Sequence, residues 1–262
     1  MNIVFSFLEF SNILGSYVTT LTRDIGAISI FIFSALVSLL RRPFFLKQFI
    51  DQLLFIGFYS LPVVGMTAFF SGAVLALQSY NGFARFSAES SIATVVVLSI
   101  TRELGPVLAG LMVAGRVGAS IAAEIGTMRV TEQIDALYTL STNPIRYLVT
   151  PRIIAGLISL PLLVLIGDVI GIMGGYLVSV YKLNFNSAGY IANTLKYLEY
   201  MDVLSGLAKA AVFGFIISSM SCYCGFYCEK GARGVGEATT RAVVLSSILI
   251  LLSNYFLTEF FF

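Results

Sequence analysis

The sequence contains no histidine and no tryptophan, and charge is scarce throughout. Without histidine, imidazole acid–base chemistry and most zinc sites are excluded. Without tryptophan, anchoring at a membrane interface falls to Tyr, Phe, Lys and Arg. Only 11% of the 262 residues are charged, against about 25% in an ordinary soluble domain. The net charge of +2 is too small to argue for a nucleic-acid partner. No G-x-x-x-x-G-K-[ST] loop is present, so the chain holds no P-loop of its own. "GARGVG" resembles a phosphate loop only superficially, because it follows no strand. No Gly-x-Ser-x-Gly elbow is present either, which argues against an intramembrane acyltransferase. The three cysteines, in "SCYCGFYC", lack a fourth ligand and read as small apolar residues of a buried helix. Neither a metal nor a cofactor is expected.

What the chain has is long apolar runs: 58% of residues are hydrophobic and the mean hydropathy is +0.91. Several uncharged runs approach the ~20 residues that span a bilayer. The expected fold is an all-α integral membrane protein of about five transmembrane helices. The spans fall near Leu53–Leu77, Ser91–Ile121, Ile153–Val180, Val203–Cys228 and Thr239–Phe260. Residues 1–50 read as an N-terminal segment with one or two helices lying in the cytoplasmic interface, and residues 51–262 as the transmembrane domain. Within that segment Ile25–Leu40 is short for a span and is flanked by positive charge at both ends, although a sixth span stays open. The first ten residues lack the basic start of a signal peptide, so no cleavage is expected.

Charge asymmetry orients the spans. Arg23, Arg41, Arg42, Lys47, Arg129, Arg146, Arg152, Lys230, Arg233 and Arg241 would lie inside, and Arg85, Lys182 and Lys196 outside. That puts the N-terminus in the cytoplasm and the C-terminus in the periplasm of a multi-pass inner-membrane protein. "QSYNGFARFSAES" reads as an external loop or short helix, and "YKLNFNSAGYIANTLKYLEYMD" as a second external segment. "EKGARGVGEATTR" reads as a short cytoplasmic turn. Glu124–Leu140 reads as a cytoplasmic amphipathic helix, broken afterwards at "STNPIR".

Charges inside a membrane cost ~2.5–3.5 kcal/mol each on insertion scales, so each needs a reason. Arg102, Glu103, Arg116, Asp168 and Lys209 are such charges. Internal ion pairing that locks helices together is one reason, and a polar lining for a substrate path is the other. Glu103 and Lys209 read as path residues, Asp168 as the partner of a basic residue on a neighbouring helix, and Arg116 as a snorkelling cation. Gly110, Ala114, Gly118 and Ala122 form an i+4 row of small residues, with Gly115, Ala119 and Ala123 beside it. Such rows let helices approach closely, inside one subunit or across a dimer seam.

The stretch "RELGPVLAGLMVAGRVGASIAAEIGTMRVTEQIDAL" resembles the signature of MlaE-type (YrbE) permeases, membrane subunits of ABC transporters that serve MCE-domain lipid-binding proteins. "NPIRYLVTPRIIAGLISLPLL" and "EATTRAVVLSS" resemble the same family's later motifs. The resemblance runs from about Leu53 to the C-terminus. It implies a homodimer around an outward-open lipid cavity, two separate ABC ATPase subunits beneath, an MCE-domain protein on the outer face, and phospholipid as cargo. It also implies that the chain moves phospholipid between membranes, maintaining outer-membrane lipid asymmetry, and is itself no enzyme. Carried onto this sequence, it places Arg102, Glu103, Lys209, Leu75 and Leu104 at the substrate. Glu124, Arg129, Glu132 and Asp135 fall on the ATPase-coupling segment, and Gly110, Ala114, Gly118 and Ala122 become candidates for dimer packing. The alternative function is an ion channel or secondary carrier using Asp168 and Lys209.

Overall fold

The computed structural model describes residues 2–39, 45–83 and 91–262, and among them every regular element is helical. Residues 1–44 and 45–262 form two separate units. The first contains one continuous helix, α1 (Asn2–Leu39).

The second unit carries five helical stretches long and apolar enough to cross a membrane: Leu46–Phe83, Ile92–Val130, Ile145–Tyr181, Tyr200–Phe226 and Ala232–Phe261. Each corresponds to one expected span and most are longer, because charged ends such as Lys47, Asp51, Arg233 and Arg241 stay helical. The first stretch contains α2 (Leu46–Ile56), a short 3-10 turn and α3 (Leu61–Phe83). The second contains α4 (Ile92–Ser99), α5 (Gly105–Val113) and α6 (Ala119–Val130), joined by π-helical segments at Ile100–Leu104 and Ala114–Gly118. A further helix, α7 (Gln133–Thr139), follows, and α8 (Thr150–Tyr181) forms most of the third span. The fourth and fifth spans are α10 (Tyr200–Phe226) and α11 (Ala232–Phe261). Between α8 and α10 lies α9 (Ser187–Tyr197), so the segment expected to be external is itself partly helical.

Two local expectations change. Glu124–Leu140 is two helices, because Glu132 adopts a left-handed φ of 59° and ends the run from α6. "EKGARGVGEATTR" is mostly helix. Only Gly231 stands at a positive φ, 92°, and α11 begins at the next residue. The end of "QSYNGFARFSAES", with Arg85, lies outside the described residues, as do Arg41 and Arg42. "STNPIR" breaks the chain as its Asn-Pro predicts: the Asn143 Oδ1 accepts from the backbone N–H of Ile145 at 3.0 Å.

Packing centres on α8, which lies against α3 on one side and α10 on the other; α10 also packs on α6 and α11. Glycines permit this. A Cβ at Gly72 would overlap the Gly171 carbonyl, and one at Gly206 would overlap the Thr101 carbonyl. Close backbone approach through small residues is how helices associate where no hydrophobic effect drives them together.

The small-residue row is used within the chain. Gly110, Ala114, Gly118 and Ala122 are all buried. A Cβ at Gly110 would touch Phe213 and Ile250, and one at Gly118 would meet Ser221 and Ile217. Of the two uses expected for the row, close approach inside one subunit is the one these contacts show, with α10 and α11 as the neighbours. The neighbouring row stays open: Gly115 is exposed and Ala119 and Ala123 are half-buried.

Candidate functional site

The charged pair Arg102–Glu103 sits inside the first π-helical segment. Pro106 helps explain why the helix is irregular there. A proline has no N–H, so the Arg102 carbonyl loses the donor that a regular helix would supply four residues later. Lys209 of α10 fills the gap, its Nζ donating to that carbonyl at 2.9 Å. The same Nζ donates to Glu103 Oε1 at 2.6 Å and to Thr258 Oγ1 at 2.8 Å. A π-bulge in a helix frequently marks a functional position.

The two charges part company. Glu103 turns to Lys209 and α11, where its other oxygen accepts from Asn254 Nδ2 at 2.8 Å. Thr258 has one hydroxyl proton, which goes either to Glu103 Oε1 or to the Asn254 carbonyl, each 2.8 Å away. Arg102 pairs with Asp202 at the start of α10: Nε and Nη2 both donate to Oδ1, at 2.7 and 2.6 Å. The second Asp202 oxygen accepts from the Glu199 backbone N–H in a capping box, which fixes the carboxylate. The Arg102 guanidinium also lies 4.2 Å from the ring centre of Phe262.

Exposure separates the roles. Lys209 is fully buried, whereas the side chain of Glu103 keeps 36% of its surface. Arg102 keeps 34% and its partner Asp202 only 1%. Lys209, with three oxygens around it and no exposed surface, orients its neighbours. Arg102 and Glu103 are the charges a ligand can reach.

The remaining candidates lie elsewhere. Leu104 lines a slit of about 10 Å³ with Val64, Thr67, Ser71 and Gly167, too narrow for more than one water. Leu75 packs on the cluster of Ala76, Ile92, Val96 and Ile100; Ile100 also borders the slit. Asp168 is 5% exposed, and its Oδ1 has no hydrogen-bond partner among the described residues. It abuts Gly105, where a Cβ would collide with that oxygen. The basic partner expected for Asp168 is thus absent among the described residues, and Asp168 does not bond to Lys209, whose partners are Glu103, Arg102 and Thr258. Arg116 is tied down, donating to the buried Ser60 hydroxyl at 2.6 Å. Cys222 and Cys224 are buried free thiols.

Around the α6–α7 junction, Arg129, Glu132 and Asp135 line a cleft of about 390 Å³ with Cys228, Glu229 and Lys230. Arg129 and Asp135 form an ion pair at 2.8 Å. Glu124 stands apart: it pairs at 2.7 Å with Arg152 of α8, which is buried. The Cys228 thiol, outside the spans, is pushed up by burial, with the Arg129 charge acting in the opposite sense.

Asp202, Asn254 and Thr258 were not among the expected site residues. Asp202 was assigned to the loop before α10, and the other two carry no charge. A signal existed: Gly234, Ala238, Ala242, Ser246 and Ile250 are the buried i+4 row of α11, and Asn254, Thr258 and Phe262 continue it.

Fold and site define a multi-pass helical membrane protein in which Arg102 and Glu103 of the second span are matched by Asp202 and Lys209 of the fourth. Residues 49–260 match the sequence model of a family described as Permease MlaE. The chain is 70% identical over 255 residues to a probable ABC transporter permease protein of Rickettsia bellii, covering 97% of this chain and 98% of the relative. It is 35% identical to the intermembrane phospholipid transport system permease protein MlaE of Haemophilus influenzae, with the same coverage of both chains. It is also 40% identical over 218 residues to the chloroplastic protein TRIGALACTOSYLDIACYLGLYCEROL 1 of Arabidopsis thaliana, covering 82% of this chain and 62% of that one. The chain belongs to the MlaE permease family.

Proposed function

We propose that the chain is the membrane subunit of an ABC transporter that moves phospholipid between membranes and maintains outer-membrane lipid asymmetry. Two copies enclose the lipid path in the inner membrane, with the N-terminus cytoplasmic and the C-terminus periplasmic. A separate ATPase hydrolyses ATP and an MCE-domain protein exchanges lipid at the outer face. The observation that carries this reading is the partly exposed Arg102 and Glu103 set among apolar helices. A phospholipid needs both: acyl chains want apolar walls, and the headgroup wants a few fixed charges. The Haemophilus relative, an intermembrane phospholipid transport system permease protein by name, agrees with that match.

In this reading the cleft formed by Arg129, Glu132 and Asp135 meets the ATPase, and Glu124 braces the coupling region through Arg152. ATP hydrolysis moves lipid only if the two states of the permease bind it unequally. Affinity purification followed by mass spectrometry tests the assembly. The expected result is a P-loop ATPase, an MCE-domain protein and phospholipid in one complex. A protein that functions with no ATPase attached overturns the reading.

A further inference from the structure

The buried residues of α11 stop at Ile250, although the helix continues to Phe261. Beyond that point its apolar side chains Leu251, Leu252, Tyr255, Phe256 and Phe260 are all exposed. Hydrogen bonds instead tie this arm to the bundle. Asn254 Nδ2 reaches Glu103 Oε2 at 2.8 Å, and Thr258 Oγ1 stands 2.8 Å from both Lys209 Nζ and Glu103 Oε1. Phe262, one turn further on, lies under the Arg102 guanidinium. These three continue the buried row, so one face of α11 changes from packed to polar halfway along its length.

The chemistry of the two halves differs. Packed small residues separate only at the cost of many dispersion contacts at once. A hydrogen-bonded contact is directional and few-membered, and its partners accept substitutes such as water or a headgroup. Asn254 Oδ1 has no partner among the described residues, so even the closed contact leaves one buried acceptor unsatisfied.

We propose that Asn254 and Thr258, gripping Glu103 and Lys209, form a polar latch. It holds the C-terminal arm of α11 against the π-bulge, and its release opens a lateral path for an amphiphile between α11 and α10. The path's purpose rests on the lipid-transport reading; the latch itself does not. Asn254 and Thr258 are positioning residues, acting through Glu103 and Lys209.

The test places nitroxide labels at Phe256 and Leu204, both exposed, in a full-length chain whose Cys222, Cys224 and Cys228 are replaced by alanine. Doubly labelled chains are diluted into unlabelled ones in lipid nanodiscs, and spin–spin distances are measured. The intact chain gives one narrow distance. Asn254→Leu and Thr258→Val each add a longer population, raised roughly tenfold over the intact chain as expected for losing hydrogen bonds to charged partners. Ser253→Ala, which removes a hydroxyl bonded only to its own helix, leaves the distances unchanged. Unchanged distances in both latch variants overturn the latch, as does an equal change in Ser253→Ala. If the arm opens but transfer of a fluorescent phospholipid by the assembled complex is unaffected, the lateral path is overturned. If even the unsubstituted complex moves no phospholipid, the transport reading fails while the distances still judge the latch.

Discussion

Pro106 and Lys209 act on the same carbonyl. The proline withholds the N–H that would have bonded the Arg102 carbonyl, and the lysine ammonium, from another span, bonds it at 2.9 Å. The irregularity in the second span and the buried cation in the fourth are thus two parts of one arrangement. Glu103 then balances the charge that Lys209 brings.

Removing the cation should be costly. Lys209→Met leaves Glu103 unpaired and the Arg102 carbonyl without a donor. Stability should fall by about 3 kcal/mol, the low end for breaking a buried pair because Glu103 is one-third exposed. Adding Glu103→Met should recover more than half of the loss, since an apolar pair in place of an ion pair is often neutral. Thermal unfolding of the detergent-solubilised protein reads both steps.

Asp168 and Asp202 are both buried aspartates but should answer differently to the same substitution. Asp168 has no ion-pair partner among the described residues, so Asp168→Asn, close in shape, should change stability by about 1 kcal/mol or less. Asp202→Asn weakens the bonds to Arg102 and the capping box together, and should cost about 2 kcal/mol. Unfolding midpoints of the two variants, measured side by side, decide it.

Glu124 should behave as a brace. Glu124→Ala leaves the buried Arg152 guanidinium without its carboxylate, and stability should drop by about 1–3 kcal/mol. Glu132→Ala removes no ion pair found among the described residues and leaves position 132 with a Cβ at the same left-handed φ, so its effect should be confined to stimulation of the proposed ATPase. Unfolding and ATPase assays on both variants separate bracing from coupling.

Cys228 should label differently from its neighbours. Burial holds its thiol above the ordinary value, so at neutral pH little thiolate is available and maleimide reacts slowly. The rate should keep rising with pH past the point where free cysteine levels off. Cys222 and Cys224, both buried within α10, should stay unlabelled in the folded protein. Mass spectrometry of peptides labelled across a pH series checks both statements.

Much of this architecture was legible in the sequence. Apolar run length located all five spans, and intramembrane cost singled out Arg102, Glu103 and Lys209, which do converge. Span ends were harder to place, because helices carry Lys47, Asp51, Arg233 and Arg241 without breaking. The stop after α6 was invisible, since a glutamate rather than a glycine takes the left-handed conformation. Asp168 was misjudged because charge alone does not say which face of a helix meets a cation. Asn254 and Thr258 escaped because an uncharged polar residue in an apolar helix is common, and only their place in the row from Gly234 marks them.

The account is tested most directly by ATP-driven lipid transfer. The chain, purified with the ATPase and MCE-domain protein proposed as its partners, is placed in vesicles, and movement of a labelled phospholipid to acceptor vesicles is followed. The prediction is transfer that requires ATP and falls about tenfold when Arg102→Ala removes the proposed headgroup contact, the weight of one charged hydrogen bond. Transfer independent of ATP, or a complex that conducts ions while leaving phospholipid in place, would contradict it.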